Sequence, residues 1–172
     1  SGGSLNVNGQ YIGAEPVYIA GTGVTNEGAY VYGGAAYLNG GGTNTPNRLY
    51  LTADAAISSG TLGGEWGNPN ISGTILDGNG FNLTVIGGSN DDTMIQRGTV
   101  NGSLTFIAGD AVVGGSLLLH DTLATTNGNV SYVAGNGVDN AIFSFGTVVN
   151  GNADLNLGSG ANIVSLLSGS TF

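Results

Sequence analysis

The sequence predicts an all-β chain, a single-domain parallel β-helix (β-solenoid) of roughly seven coils of about 24 residues. Three observations carry that expectation. The first is a repeated unit: DGNGFNLTVIGGSN from Asp77, NGSLTFIAGDAV from Asn101, NGNVSYVAGNGV from Asn127 and NGNADLNLGSGA from Asn150, with Asx-Gly starts spaced 24, 26 and 23 residues apart. The second is alternation of apolar residues within the units, as in Leu104 and Phe106, Val130 and Tyr132, or Leu155 and Leu157, bounded by Gly and Asn. Alternation at period two between turn residues marks a strand. The third is the 34 glycines, too many for stable helices, in units with no apolar residues at helical spacing.

A unit of 23 to 26 residues is too short for a propeller blade, which needs ~40 residues and four strands, and fits one coil of a parallel β-helix. Equivalent strands then stack ~4.8 Å apart, with aliphatic ladders inside and Asn and Thr along the turns. Glycine supplies positive φ at the corners and room for close contact between coils. Residues 1–172 read as one domain, with regular coils over 76–172 and irregular coils over 1–75. A degenerate copy, NGQYIGAEPVYIAGTGV, starts at Asn8 with extra residues before its alternation. The stretch YVYGGAAYLNGGGTNTPNRLYLTADAAI holds longer coils or a loop near Gly40 to Asn47, where Gly, Thr, Asn and Pro cluster. Seven coils make a rod on the order of 35 Å long.

Composition narrows the partners. The formal net charge is -9, and Arg48 and Arg97 are the only basic residues apart from one histidine. Phosphate contacts need Lys or Arg, so nucleic acid is not expected. Hydrophobic residues make up 40% and mean hydropathy is +0.17, so the chain should fold, unlike a disordered acidic tail. Without cysteine there is neither a disulfide framework nor a thiolate metal site. No apolar run approaches the ~20 residues of a membrane-spanning helix, and no basic-then-apolar leader opens the chain. A start at Ser rather than Met suggests a processed or excised segment.

The first half carries a more specific pattern. GTGVTNEGAYVYGGAAYL, RLYLTADAAI, Trp66 and ISGTILDGNGFNLTVIGG follow one another, and together this resembles the autotransporter-associated β-strand repeat of secreted or surface-anchored proteins of Gram-negative bacteria. The matching elements are the Gly-x-Gly followed by Gly-Ala, the LTADAAI strand and the ISGTILDGNGFNLTV strand-turn-strand. The resemblance runs from about Val17 to Gly88; from Thr99 onward the pattern is generic solenoid. It implies a passenger-like parallel β-helix exported to the cell surface, with adhesive or structural roles and no catalytic residue. The C-terminal membrane barrel of such proteins has no counterpart within these residues.

Several residues invite a chemical reading. GGSNDDTM at Gly87, GNGVDNAI at Gly135 and GSGANIV at Gly158 resemble calcium-binding nonapeptide turns. Calcium takes about six to eight oxygens, and Asp91, Asp92 and Asp139 are the candidate ligands. The simpler reading of these turns is corner geometry, since Asn90 replaces one Gly and Asn162 replaces the Asp. Asp91 with Asp92, or His120 beside Asp121, has the makings of an acid–base pair in a polysaccharide-cleaving β-helix. The basic groups that would grip an anionic sugar are nearly absent, so no enzyme is expected and His120 reads as a surface turn residue. Trp66 and Tyr11, Tyr18, Tyr30, Tyr32, Tyr37 and Tyr50 could stack on a surface glycan, but they read more simply as ladder or rim residues. Thr43 and Thr45 form only one Thr-x-Thr, too little for an ice-binding ladder. The two arginines are expected to pair locally with acids, for instance Arg97 with Asp91 or Asp92, and such exposed pairs contribute little.

The ends complete the reading. A solenoid's open faces are rows of unpaired strand edges, and caps normally close them. Here SLNVNG opens the pattern and ANIVSLLSGSTF ends it, both apolar and strand-like. The expected assembly residues are Leu5, Val7, Ile163, Val164, Leu166, Leu167 and Phe172. They would join copies head to tail into a homopolymer, a contact that repeats without closing. The expectation is therefore an extracellular structural or adhesive solenoid, either a filament subunit or a passenger segment of an adhesin. The alternative is a carbohydrate-binding or carbohydrate-cleaving β-helix, and no cofactor beyond calcium is indicated.

Overall fold

The structure, a computed structural model, describes residues 5–6, 16–22, 36–37, 48–58, 74–76, 79–87, 93–108 and 117–172. These residues form fifteen strands and no helix. In chain order the strands are β1 (Leu5–Asn6), β2 (Pro16–Gly21), β3 (Ala36–Tyr37), β4 (Arg48–Ser58), β5 (Thr74–Leu76), β6 (Leu83–Ile86), β7 (Thr93–Val100) and β8 (Leu104–Ile107). They continue with β9 (Leu117–His120), β10 (Thr125–Thr126), β11 (Val130–Val133), β12 (Asn140–Phe143), β13 (Val148–Val149), β14 (Ala153–Asn156) and β15 (Ile163–Leu166). Every pairing among them is parallel. The LTADAAI stretch lies within β4, and the ISGTILDGNGFNLTV stretch supplies β5 and most of β6.

The pairings resolve into three ladders. In the first, Leu5, Ala36, Ile57, Val85, Phe106, Tyr132 and Leu155 stand in register on β1, β3, the end of β4, β6, β8, β11 and β14. The second runs from β2 through the start of β4, β5, the end of β7, β10 and β13 to a bridge between Val148 and Thr171. The third joins the start of β7 to β9, β12 and β15. From Leu104 onward the chain visits the first, third and second ladders in turn, then repeats the circuit.

Alternation decides which side chains are enclosed. On β6, β8 and β11 the first and third residues are wholly buried: Leu83 with Val85, Leu104 with Phe106, Val130 with Tyr132. Thr84, Thr105 and Ser131 stand between them on the opposite side and are partly exposed. Register puts like beside like, and the rings of Phe106 and Tyr132 stack with centroids 5.2 Å apart and planes 11° apart. Such a pair adds about 1 kcal/mol beyond the area it buries.

Polar side chains link the repeats along one edge of the first ladder. Asp54 accepts the Asn82 N–H at 2.8 Å, Asn82 Oδ1 accepts the Ser103 N–H at 2.8 Å, Ser103 Oγ accepts the Asn129 N–H at 3.1 Å, and Asn129 Oδ1 accepts the Asn152 N–H at 2.9 Å. Each bond satisfies a backbone donor at a strand entrance, where an unmet donor is costly. The bond from the Asn82 N–H, followed by that from Asn82 Nδ2, holds the Asp54 carboxyl below its usual pKa.

The corner between the third and second ladders is a stacked β-turn. The Ala124 N–H donates to the Asp121 carbonyl at 2.9 Å, Thr147 to Ser144 at 3.3 Å and Ser170 to Leu167 at 3.1 Å. The third turn residue has positive φ: 61° at Leu123, 68° at Gly146 and 81° at Gly169. A type II turn requires that conformation, which only glycine adopts without strain. Leu123 is 74% exposed, so its side chain recovers little by burial. Leu123→Gly is therefore expected to stabilise the chain by about 1 kcal/mol, read as a higher urea midpoint. An unchanged midpoint would mean that the Leu123 side chain, whose Cδ2 lies against Gly146, offsets the strained backbone.

Candidate assembly interface

The last repeat differs from those before it in what covers it. Register places Val164 after Ala141 and Leu118, and Leu166 after Phe143 and His120. Phe172 follows Val149 beside the Val148–Thr171 bridge. Ala141 and Phe143 are fully enclosed and Val149 is 1% exposed, whereas Val164, Leu166 and Phe172 are 49%, 60% and 54% exposed. The same inward columns are thus dry one repeat earlier and wet in the last. Ile163 and Leu167 are exposed beside them, and Phe172 meets Phe143 edge-on at 5.0 Å.

The backbone edge coincides with this apolar face. β14 and β15 end the strand order, each paired on one side only among the described strands. Side-chain amides extend the edge. Asn127 Nδ2 donates to Asn101 Oδ1, and Asn150 Nδ2 donates to Asn127 Oδ1 at 2.7 Å, so three Asx-Gly starts form an amide ladder. Its last acceptor, Asn150 Oδ1, and the side chain of Asn152 reach no partner among the described residues. At the opposite end, Leu5 lies on β1, which pairs with β3 alone among the described strands. Val7 lies outside the described residues.

A second constellation lies in the interior, where the expectation for His120 is corrected. His120 is completely buried rather than at a surface turn. It stands in phase with Leu118 along β9, and the alternation of LLLH therefore points it inward. Thr126 Oγ1 donates to Gln96 Oε1 at 3.1 Å, and Gln96 Nε2 donates to the Thr125 carbonyl at 3.0 Å. With its proton committed to Gln96, Thr126 Oγ1 accepts from His120 Nε2–H at 3.1 Å, which fixes the neutral tautomer with a bare Nδ1. Nδ1 has no hydrogen-bond partner among the described residues, and the Phe143 ring lies 5.6 Å from the imidazole. Burial pushes the His120 pKa down to about 4. The imidazole is therefore separated from Asp121, which faces outward, and the two do not form an acid–base couple.

Asp121 instead takes Arg97, with Nε and Oδ2 2.6 Å apart. Arg97 thus has the acidic partner expected of it; Asp91 and Asp92, the acids named for it from the sequence, lie outside the described residues. Burial pushes the Asp121 carboxyl up, but the Arg97 bond and the Thr122 N–H bring it below its usual value. With Arg97 half exposed, the pair contributes at most about 1 kcal/mol. The third calcium candidate, Asp139, is buried at a corner, its N–H donating to Asn162 Oδ1 at 2.9 Å and its carbonyl accepting the Ile163 N–H. No group of three or more His, Cys, Asp or Glu side chains gathers among the described residues. Tyr18 and Tyr50 stack at 4.9 Å as ladder neighbours, while Tyr132 is an interior residue.

The features that sequence reasoning passed over are Gln96, Thr126, Asn150 and Asn152. Aligning the units at their Asx-Gly starts would have placed Asn101, Asn127 and Asn150 in one column and the residues after each Gly in another. No helix among the described residues is long and apolar enough to cross a membrane. No protein-family model, curated protein or solved structure matches the chain.

Proposed function

We propose that this chain is a single parallel β-helix of roughly seven coils that acts as an extracellular structural module, joining further copies end to end through its terminal coil. The carrying observation is the contrast along the inward columns: Leu166 is 60% exposed where its in-register predecessor Phe143 is fully enclosed. A coil added above would bury Val164, Leu166 and Phe172, meet the open edges of β14 and β15, and continue the amide ladder at Asn150. With about half of each side chain still to be covered, each stabilises the contact by roughly 1–1.5 kcal/mol. The first ladder supports the solenoid reading with seven rungs from Leu5 to Leu155. The resemblance of the first half to surface passenger repeats supports a place outside the cell. The activity is then mechanical, with stacked strands and side-chain ladders resisting extension.

Negative-stain electron microscopy across a concentration series, with and without a calcium chelator, tests the reading. Wild-type chain is expected to form filaments with an axial repeat on the order of 35 Å. Leu166→Asp is expected to abolish them while leaving the urea midpoint near wild type, because a side chain already exposed contributes little to the single chain. Monodisperse particles at every concentration would sink the proposal.

A further inference from the structure

The amide ladder at the Asx-Gly starts has a chemical side. In an Asn-Gly pair the glycine nitrogen can attack the asparagine Cγ, forming a succinimide and expelling ammonia. Water then opens the ring to aspartate or isoaspartate, so atoms balance with no oxidant or cofactor. Two such pairs stand in nearly identical local sequence, Asn127-Gly128-Asn129 and Asn150-Gly151-Asn152, and both asparagines are exposed. Local sequence and exposure therefore do not separate them.

Their hydrogen bonds do. The Asn127 amide is tied at both ends, Nδ2 to Asn101 Oδ1 and Oδ1 to Asn150 Nδ2. The attacking nitrogen at that site is also engaged, since the Gly128 N–H donates to the Gly102 carbonyl at 2.9 Å. Asn150 is tied only through Nδ2, and the Gly151 N–H has no hydrogen-bond partner among the described residues. Attack at Asn127 must break a backbone bond and two side-chain bonds, and attack at Asn150 only one side-chain bond. Another of the described Asn-Gly pairs, Asn136-Gly137, is held at both the glycine nitrogen and the side chain: the Gly137 N–H donates to the Ser159 carbonyl at 3.0 Å, and Ser159 Oγ donates to Asn136 Oδ1 at 2.6 Å.

We infer that Asn150 is a site of spontaneous deamidation in the free chain, and that stacking of a further copy protects it. The protection rests on the proposed end-to-end assembly; the ranking of Asn150 above Asn127 and Asn136 does not. The product also matters for assembly. An aspartate at 150 cannot donate to Asn127 Oδ1, and its charge would lie on the face that a second copy has to cover, so modification removes a subunit from the growing end.

The test is peptide mapping by mass spectrometry of the full chain aged at mildly alkaline pH, with Asn150→Gln to verify the peptide assignment. Dilute folded chain is expected to convert Asn150 at least about tenfold faster than Asn127 and Asn136, the effect of one net hydrogen bond or more. In urea Asn150 and Asn127 should react at closely similar rates because Gly-Asn follows each of them. Equal rates at these two sites in the folded chain would overturn the site. In sedimented filaments Asn150 is expected to slow to the rate of Asn127; filaments in which it stays fast would overturn the protection. If no filaments form, the assembly reading fails, while the comparison in dilute chain still decides the site.

Discussion

Gly128→Ala is expected to lower stability by about 3 kcal/mol or more, a large share of the roughly 5–15 kcal/mol that holds an ordinary domain folded. A Cβ at that position would stand 2.6 Å from Ser103 Oγ and 2.7 Å from both the carbonyl carbon and oxygen of Gly102. Two of those atoms belong to the backbone of the preceding repeat and cannot rotate aside. Relief requires the repeats to separate, which would stretch the Gly128–Gly102 and Asn127–Asn101 hydrogen bonds beside the clash. Gly102 and Gly151 meet the preceding repeat's backbone in the same way. Gly80 is the control: its φ is 83°, yet no atom of the described residues lies within 4 Å of a Cβ there. Gly80→Ala should cost only the backbone term, about 1 kcal/mol. Urea unfolding followed by circular dichroism separates the two, and equal losses would refute close repeat contact as the reason for the column of glycines.

Acidification is expected to remove about 3 kcal/mol of stability between pH 6.5 and pH 4 through His120 alone. Above pH 6.5 the imidazole is neutral in both folded and unfolded chains, and its contribution is complete. As pH falls through that value the unfolded chain takes up a proton that the buried ring refuses, so unfolding is favoured progressively. Near pH 4 the folded chain also protonates and the loss from this group levels off. Among the described residues the ring's neighbours are uncharged: Thr126, which bonds Nε2 and is itself bonded to Gln96, and the Phe143 ring. Asp54 and Asp121 act in a separate window: their lowered values confer stability that is lost as pH falls through and below the ordinary carboxylate range. His120→Leu should remove the slope between pH 6.5 and 4 and leave the more acidic one. Urea midpoints at pH 7.5, 5.5 and 4 for both chains check this, and an unchanged slope in the variant would place the titrating group elsewhere.

Much of the architecture was legible because strand sidedness is local. In SLTFIA the positions of Leu104 and Phe106 suffice to say that they share a face, and the structure buries both completely. The spacing of the Asx-Gly starts likewise announced a ladder, since repeats of similar length can only align their equivalents by stacking. Asn101, Asn127 and Asn150 do so through their side chains. His120 shows where a residue-by-residue reading fails. Its polarity suggested a surface turn, while its phase with Leu118 placed it inside, and phase prevailed because turning one side chain outward would reverse the whole strand.

By itself, then, the sequence determined that the chain is built of short strands, which residues of each strand face together, and which glycines and asparagines mark the turns. Only the tertiary structure decided what lies above and below each residue. The separation between ladder neighbours along one column is 28, 21, 26 and 23 residues in succession, from Asp54 to Asn152. Those differences are absorbed at corners whose lengths no local pattern announces. That is why Arg97 meets Asp121, why Leu123 occupies a position where the next two repeats have glycine, and why two like Asn-Gly-Asn triplets differ in their bonds. Alternation is a property of neighbouring residues, whereas register depends on the summed length of every turn between two strands.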